Sequence, residues 1–314
     1  MRRRARRAPA TTLRRRTRAP RWRMTVPILN ASGCLDALTA AEVAQTLDVF
    51  VTKTVTPLPR EGNPPPRIAE TELGMLNSIG LQNPGIEAFL DDTLPRLARL
   101  GVPLWVSVGG FSVQDYAQLC TLLSGREEVT TIELNLSCPN VDEAPETAAE
   151  IVAAAREATP KTLYAKLSPA TWDIAETARA VADAGADGLS LVNTIRGLAL
   201  APTTLEPTLE RGAGGYSGPA LRPIALACVY ACATAVDLPI VGMGGVSSGR
   251  HAVALVAAGA SAVALGTVLF AEPFAARRVR VEMTEAAVAL GYPSAAALRG
   301  KAHKSATFAN LSAL

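Results

Sequence analysis

The sequence predicts an α/β protein of the (β/α)8 TIM-barrel class, folded as a single domain, and three observations predict it. From Val26 onward, eight short β-branched runs alternate with longer Ala-rich amphipathic segments, the pattern of βα units around a parallel sheet. No Gly-x-Gly-x-x-Gly turn follows the first run, as a doubly wound open sheet would require. Several runs also close on polar residues, as barrel strands do where they deliver side chains to a catalytic face.

The strands are expected at residues 26–30, 49–53, 104–108, 131–136, 163–166, 188–193, 239–242 and 262–265. Helices are expected near 39–47, 84–99, 113–123, 145–158, 173–184, 219–235, 248–258 and 273–290. The second strand ends in Lys53-Thr54 and leads into a Pro- and Gly-rich insertion from Thr56 to Pro84. Insertions of that size on a barrel are usually functional, so it belongs at the catalytic face. The fourth strand ends in Asn135-Leu136-Ser137-Cys138-Pro139-Asn140, the fifth in Lys166 and the sixth in Asn193-Thr194. The seventh and eighth end in Gly242-Met243-Gly244-Gly245 and Gly266-Thr267, at the loops where barrels most often hold a phosphate. Glycine lets backbone N–H groups approach phosphate oxygens closely, so a phosphorylated ligand is expected there.

Composition bounds the rest. At 314 residues, 49% apolar and 19% charged, the chain can bury one large core. No run approaches the roughly 18–20 apolar residues of a membrane span, so no membrane partner is expected. Residues 1–23 hold eleven arginines and no acid, and are expected to be an unstructured extension ahead of a catalytic domain at 24–314. Nucleic-acid binding and a transit peptide are the alternatives for that leader. The cysteines, Cys34, Cys120, Cys138, Cys228 and Cys232, show no pairing pattern and no Cys-x-x-Cys spacing, which fits a reducing cytoplasm.

With only His251 and His303, the chain cannot assemble a metal cluster or a Ser-His-Asp set. Cys138 is then the conspicuous proton acceptor or nucleophile, on a strand-end turn among Asn, Ser and Pro.

At these residues the chain resembles the class 1 dihydroorotate dehydrogenases, from about Pro27 to Ala271. The motifs that carry the resemblance are Asn135 to Asn140, Gly74 to Gly85, Lys166-Leu167-Ser168-Pro169, Gly215 to Ala220 and Gly242 to Val246. The resemblance implies FMN, with its phosphate on Gly244, Gly245, Gly266 and Thr267 and with Gly218 and Val192 lining the cofactor. It places Ser32, Lys53, Thr54, Asn135 and Lys166 against the flavin. Ser107 stands where the closest subclass has a flavin-contacting asparagine.

By the same mapping, dihydroorotate or orotate is held by Lys53, Asn77, Ser78, Ile79, Gly80, Leu81, Asn135, Asn140, Asn193 and Thr194. The implied catalytic residues are Cys138, Lys53 and Lys166. Cys138 takes the C5 proton while hydride passes from C6 to the flavin, a step of de novo pyrimidine (UMP) biosynthesis. The loop after Asn140, which in the family covers the base, is several residues shorter here than the family pattern.

Leu81 to Gly85 and Ser217 to Ala220 more closely resemble subclass 1B, whose members pass electrons to NAD through a separate FAD and [2Fe-2S] subunit in a heterotetramer around a homodimer, whereas Arg60 to Pro64 and Asn30 to Gly33 are also similar to subclass 1A. The fumarate-using subclass 1A, a pyrimidine or dihydrouridine reductase, and a catalytically silent flavin-binding protein are the alternatives.

Overall fold

The computed structural model describes residues 25–136 and 145–304. The Arg-rich leader, Ser137 to Asn140 and the loop that follows lie outside the described residues.

Twelve strands form in chain order: β1 (Ile28–Asn30), β2 (Phe50–Val51), β3 (Ile68–Thr71), β4 (Gly74–Asn77), β5 (Leu104–Val108), β6 (Val129–Asn135), β7 (Thr162–Leu167), β8 (Gly188–Leu191), β9 (Ile195–Gly197), β10 (Gly214–Ser217), β11 (Ile240–Met243) and β12 (Ala262–Leu265). Eight of them make a parallel sheet ordered β1-β12-β11-β8-β7-β6-β5-β2. A parallel bridge between Leu29 and Val49 closes the ring. These are the eight strands the sequence predicts, although β2 is shorter than expected.

The β1–β2 seam is completed by a side chain. Phe50 N–H donates to Pro103 C=O, just before β5, and Thr52 N–H to Trp105 C=O of β5, so the N–H and C=O of Val51 face β1. There the buried Asn30 amide accepts from Val51 N–H at 2.8 Å and donates to Val51 C=O at 2.8 Å.

The helices are α1 (Ala41–Ala44), α2 (Ile86–Ala88), α3 (Leu94–Ala98), α4 (Val113–Ser124), α5 (Pro145–Ala158), α6 (Ile174–Asp183), α7 (Arg222–Ala235), α8 (Gly249–Ala257), α9 (Val268–Ala271) and α10 (Ala275–Ala289). A π turn at Phe89–Thr93 joins α2 to α3. Ser112, Asp173 and Ser248 cap α4, α6 and α8 through their side-chain oxygens, satisfying N–H groups that a helix start leaves free. The first expected helix shrinks to the four residues of α1, and α9 is an element that the sequence pattern did not predict. Among the described residues, no helix is long and apolar enough to cross a membrane.

Two apolar clusters make the core. One lies between the sheet and the outer helices. The other fills the barrel lumen with Leu29, Val49, Val51, Trp105, Tyr164, Val241, Met243, Ala262 and Ala264. Trp105 and Tyr164 pack with ring centroids 4.5 Å apart. Gly188 is small for a reason: a Cβ there would fall 2.4 Å from the Tyr164 ring.

The insertion expected as a loop forms structure of its own. β3 and β4 pair as a hairpin, β9 and β10 do the same, and antiparallel pairing of β4 with β10 joins them into the sheet β3-β4-β10-β9. All four strands belong to the connections after β2 and β8, so this sheet lies on the side where the barrel strands end.

Candidate functional site

Parallel strands deliver their last residues to one rim. Side chains alternate along a strand, so the parity that buries Trp105 and Tyr164 in the lumen carries Ser107 and Lys166 to the same interior two residues later. Strand β6 adds Glu133, in register with Ser107, and Asn135, in register with Lys166.

A continuous hydrogen-bonded chain crosses the rim. Ser32 Oγ donates to Thr52 C=O at 2.9 Å and lies 3.4 Å from Thr54 Oγ1. Thr54 Oγ1 is 3.0 Å from Ser107 Oγ and accepts from Asn135 Nδ2 at 3.2 Å. Asn135 Oδ1 accepts from Asn193 Nδ2 at 3.0 Å, and Asn193 Oδ1 accepts from Thr194 N–H at 2.9 Å. Tyr116 of α4 braces the chain from outside, its hydroxyl donating to Asn135 C=O at 2.7 Å. Each such bond adds only about 1 kcal/mol net, so the gain is a set of donors and acceptors held in fixed directions. Five strands (β1, β2, β5, β6 and β8) are tied together by residues that sequence reasoning singled out one at a time.

Two lysines join this rim. Lys166 is 5% exposed, with Nζ 3.6 Å from Glu133 Oε1. Lys53 lies beside the turn after β1, its Nζ 3.7 Å from where a Cβ on Gly33 would stand. Burial lowers the pKa of its ammonium, the neighbouring Cys34 opposes that, and the charge of Arg67 adds to it.

Cys34 and Glu133 are site residues that sequence reasoning missed. Burial raises the pKa of the Cys34 thiol against the pull of the charges of Lys166 and then Lys53. Strand parity could have found Glu133, two residues before Asn135. Position could have found Cys34, two residues after Ser32.

The glycine loops meet as a cradle. Gly218, Gly244 and Gly245 have φ of 108°, 119° and 69°, a region that suits glycine. A Cβ on Gly245 would fall 2.8 Å from Gly218 C=O and 2.9 Å from Arg222 Cβ, so the β10–α7 and β11–α8 turns can approach only because that position is bare. Thr267 Oγ1 donates to Ser217 Oγ at 2.8 Å, bringing the turn after β12 to the same place. A Cβ on Gly266 would meet Ala31 Cβ at 3.5 Å and Cys34 Sγ at 3.6 Å, which ties the cradle to the lysine side of the rim. Val192 is buried, its N–H donating to Met243 C=O at 3.1 Å, next to the cradle loop.

The second sheet brings Asn77 to this mouth. Asn77 Nδ2 donates to Gly215 C=O at 3.1 Å, and a Cβ on Gly215 would fall 2.2 Å from Thr194 Oγ1. Asn77 and Thr194 therefore flank one bare backbone. Ser78, Ile79, Gly80 and Leu81 follow, but their hydrogen bonds run elsewhere. Asn63 binds Ser78 Oγ and Ile79 C=O, Arg60 donates to Gly80 C=O at 3.2 Å, and Asn83 donates to Leu81 C=O at 2.7 Å.

Cys138 and Asn140 lie outside the described residues. His251 contacts Arg222 at 2.8 Å and His303 stacks on Tyr230 at 4.2 Å, both away from the polar chain. Among the described residues, no group of three or more His, Cys, Asp or Glu could hold a metal ion.

The chain is similar to known proteins of one family. The family model described as dihydroorotate dehydrogenase matches residues 16–286. A protein of Desulforudis audaxviator named dihydroorotate dehydrogenase B (NAD(+)), catalytic subunit, is 43% identical over 290 residues, covering 88% of this chain and 94% of the relative. Proteins with the same name from a Geobacillus species and from Halalkalibacterium halodurans are 42% and 40% identical, covering 82% and 91% of this chain and 85% and 97% of their own lengths. A crystal structure of the Eimeria tenella enzyme in complex with ferulenol superposes with a TM-score of 0.75 at 23% identity, covering 88% of this chain and 85% of that one, a likeness of fold.

Proposed function

We propose that this chain, which belongs to the dihydroorotate dehydrogenase family of oxidoreductases, is an FMN-dependent catalytic subunit that oxidises dihydroorotate to orotate. The observation that carries the reading is the shared mouth, where the polar chain, two lysines and the glycine cradle converge. FMN fits these residues. The bare Gly245 lets two glycine turns close together at the strand ends, where helix starts favour a phosphate, and the rim offers cations and amides to a flavin ring.

Gly218, Gly244, Gly245, Gly266 and Thr267 would hold the phosphate. Ser32, Lys53, Thr54, Ser107, Asn135, Lys166 and Val192 would line the ring. FMN supplies the acceptor for the hydride that leaves C6 of the substrate.

The chain's own residues do the rest. Lys53 faces the substrate carboxylate, and Asn77, Asn135, Asn193 and Thr194 pair with the imide edge, since each amide offers both a donor and an acceptor. Ser78 to Leu81, which follow Asn77, and Asn140 would also contact the substrate. Cys138 removes the C5 proton, so loss of H+ from C5 and hydride from C6 leaves the C5=C6 double bond of orotate. Lys166 holds a positive charge at the flavin's pyrimidine edge, where negative charge develops.

The curated relatives are named as NAD(+)-linked catalytic subunits. These names support electron transfer to NAD through a partner subunit, which we assign as a separate FAD and [2Fe-2S] subunit serving a homodimer of this chain. The described cysteines, Cys34, Cys120, Cys228 and Cys232, are unpaired, which supports a reducing, cytoplasmic setting.

The test is anaerobic mixing of the purified, yellow protein with dihydroorotate. Loss of the oxidised flavin spectrum is expected, and an unchanged spectrum overturns the assignment. Assays of the single chain with fumarate and with NAD decide the acceptor: turnover with fumarate overturns the partner-dependent reading.

A further inference from the structure

Among the described residues, Glu133 and Lys166 are the two charged side chains that are buried, at 1% and 5% exposure. They face each other from neighbouring strands, Glu133 one lumen layer below Asn135 and Lys166. Glu133 Oε1 accepts no hydrogen bond, and Lys166 Nζ stands 3.6 Å from it. Ser190, in register with Lys166 on β8, also leaves its Oγ without a partner. A buried ion pair seldom adds stability over an apolar pair of the same volume, so a loose pair directly above the apolar lumen cluster calls for a purpose other than stability.

We propose that Glu133 is a positioning residue for Lys166, a counter-charge beneath the site that holds the ammonium in place and aimed at the rim. The inference rests on the flavin reading above. A buried ammonium stripped of its counter-charge is relieved by drawing its chain away, which removes positive charge from the rim.

Sulfite provides the readout, because it adds reversibly to flavin N5 and the adduct is favoured by a cation at the pyrimidine edge. With FMN in excess, Glu133→Gln should weaken sulfite binding roughly tenfold or more, the scale of one lost charge at short range. In a Lys166→Met background, the same change should move it by less than about twofold, because the residue acts through Lys166. Equal weakening in both backgrounds, or none in either, overturns the inference while leaving the flavin assignment intact. A wild-type protein that binds no FMN overturns the flavin reading and this inference together. If Glu133→Gln alone does not fold, recovery of folded protein in Glu133→Leu with Lys166→Met supports the pairing, and failure of that double variant to fold overturns it.

Discussion

Replacing Asn30 by leucine should loosen the barrel along one seam. The side chain is fully buried, and its amide satisfies both the N–H and the C=O of Val51 at 2.8 Å each. Leucine has a similar volume and can do neither. Each stranded buried backbone group costs about 1–3 kcal/mol, giving roughly 4 kcal/mol for the two. Burying an apolar side chain in place of the amide returns about 1 kcal/mol, leaving a net loss of about 3 kcal/mol. For a large domain this corresponds to a fall in Tm of ~6–10 °C. The assay is thermal unfolding with FMN held at fixed saturation, because ligand concentration itself moves Tm. The seam lies beneath Ser32 and Lys53, so FMN affinity should fall as well. A Tm within about 2 °C of wild type would refute the claim that this amide completes the barrel ladder.

Cys138→Ser should keep the yellow cofactor and lose most turnover, measured as rate per bound flavin; wild-type rates would remove the thiol from the mechanism. Gly245→Ala forces a Cβ against Gly218 C=O at 2.8 Å, so it should reduce FMN affinity by roughly a hundredfold or more through loss of charge-assisted phosphate contacts, read by fluorescence titration. Gly266→Ala meets nothing closer than 3.5 Å, so it should leave Tm unchanged and weaken FMN binding alone; an equal loss of stability would show the position to be structural. The Lys53 pKa is lowered mainly by burial, and an anionic ligand favours its charged form. Orotate affinity should therefore decline as pH rises through that lowered value, below the ~10.4 of a free lysine. Lys53→Met should abolish this decline in a titration of orotate against pH.

The barrel itself was legible in the sequence because its determinants are local. Short β-branched runs between Ala-rich segments mark the eight strands, and polar residues that close several of them mark the rim. Asn135, Lys166, Asn193 and the two glycine loops could be placed at one face before any coordinates, since parallel strands must end together. The β3-β4-β10-β9 sheet was not legible. Its strands are short and glycine-rich, and its central pairing joins Asn77 to Gly215, far apart in the chain, so no window of sequence contains the contact.

What the sequence by itself determined was which residue types arrive at the rim, through strand count, parity and turn chemistry. Only the tertiary structure decided which of them touch: that Thr54, Ser107, Asn135 and Asn193 share one hydrogen-bonded chain, that Asn30 completes the ladder of another strand, and that Glu133 and Cys34 belong with the lysines. The reason is that alternation along a strand fixes the direction of a side chain, whereas its neighbours depend on register across the closed sheet, which is set by packing of the whole barrel.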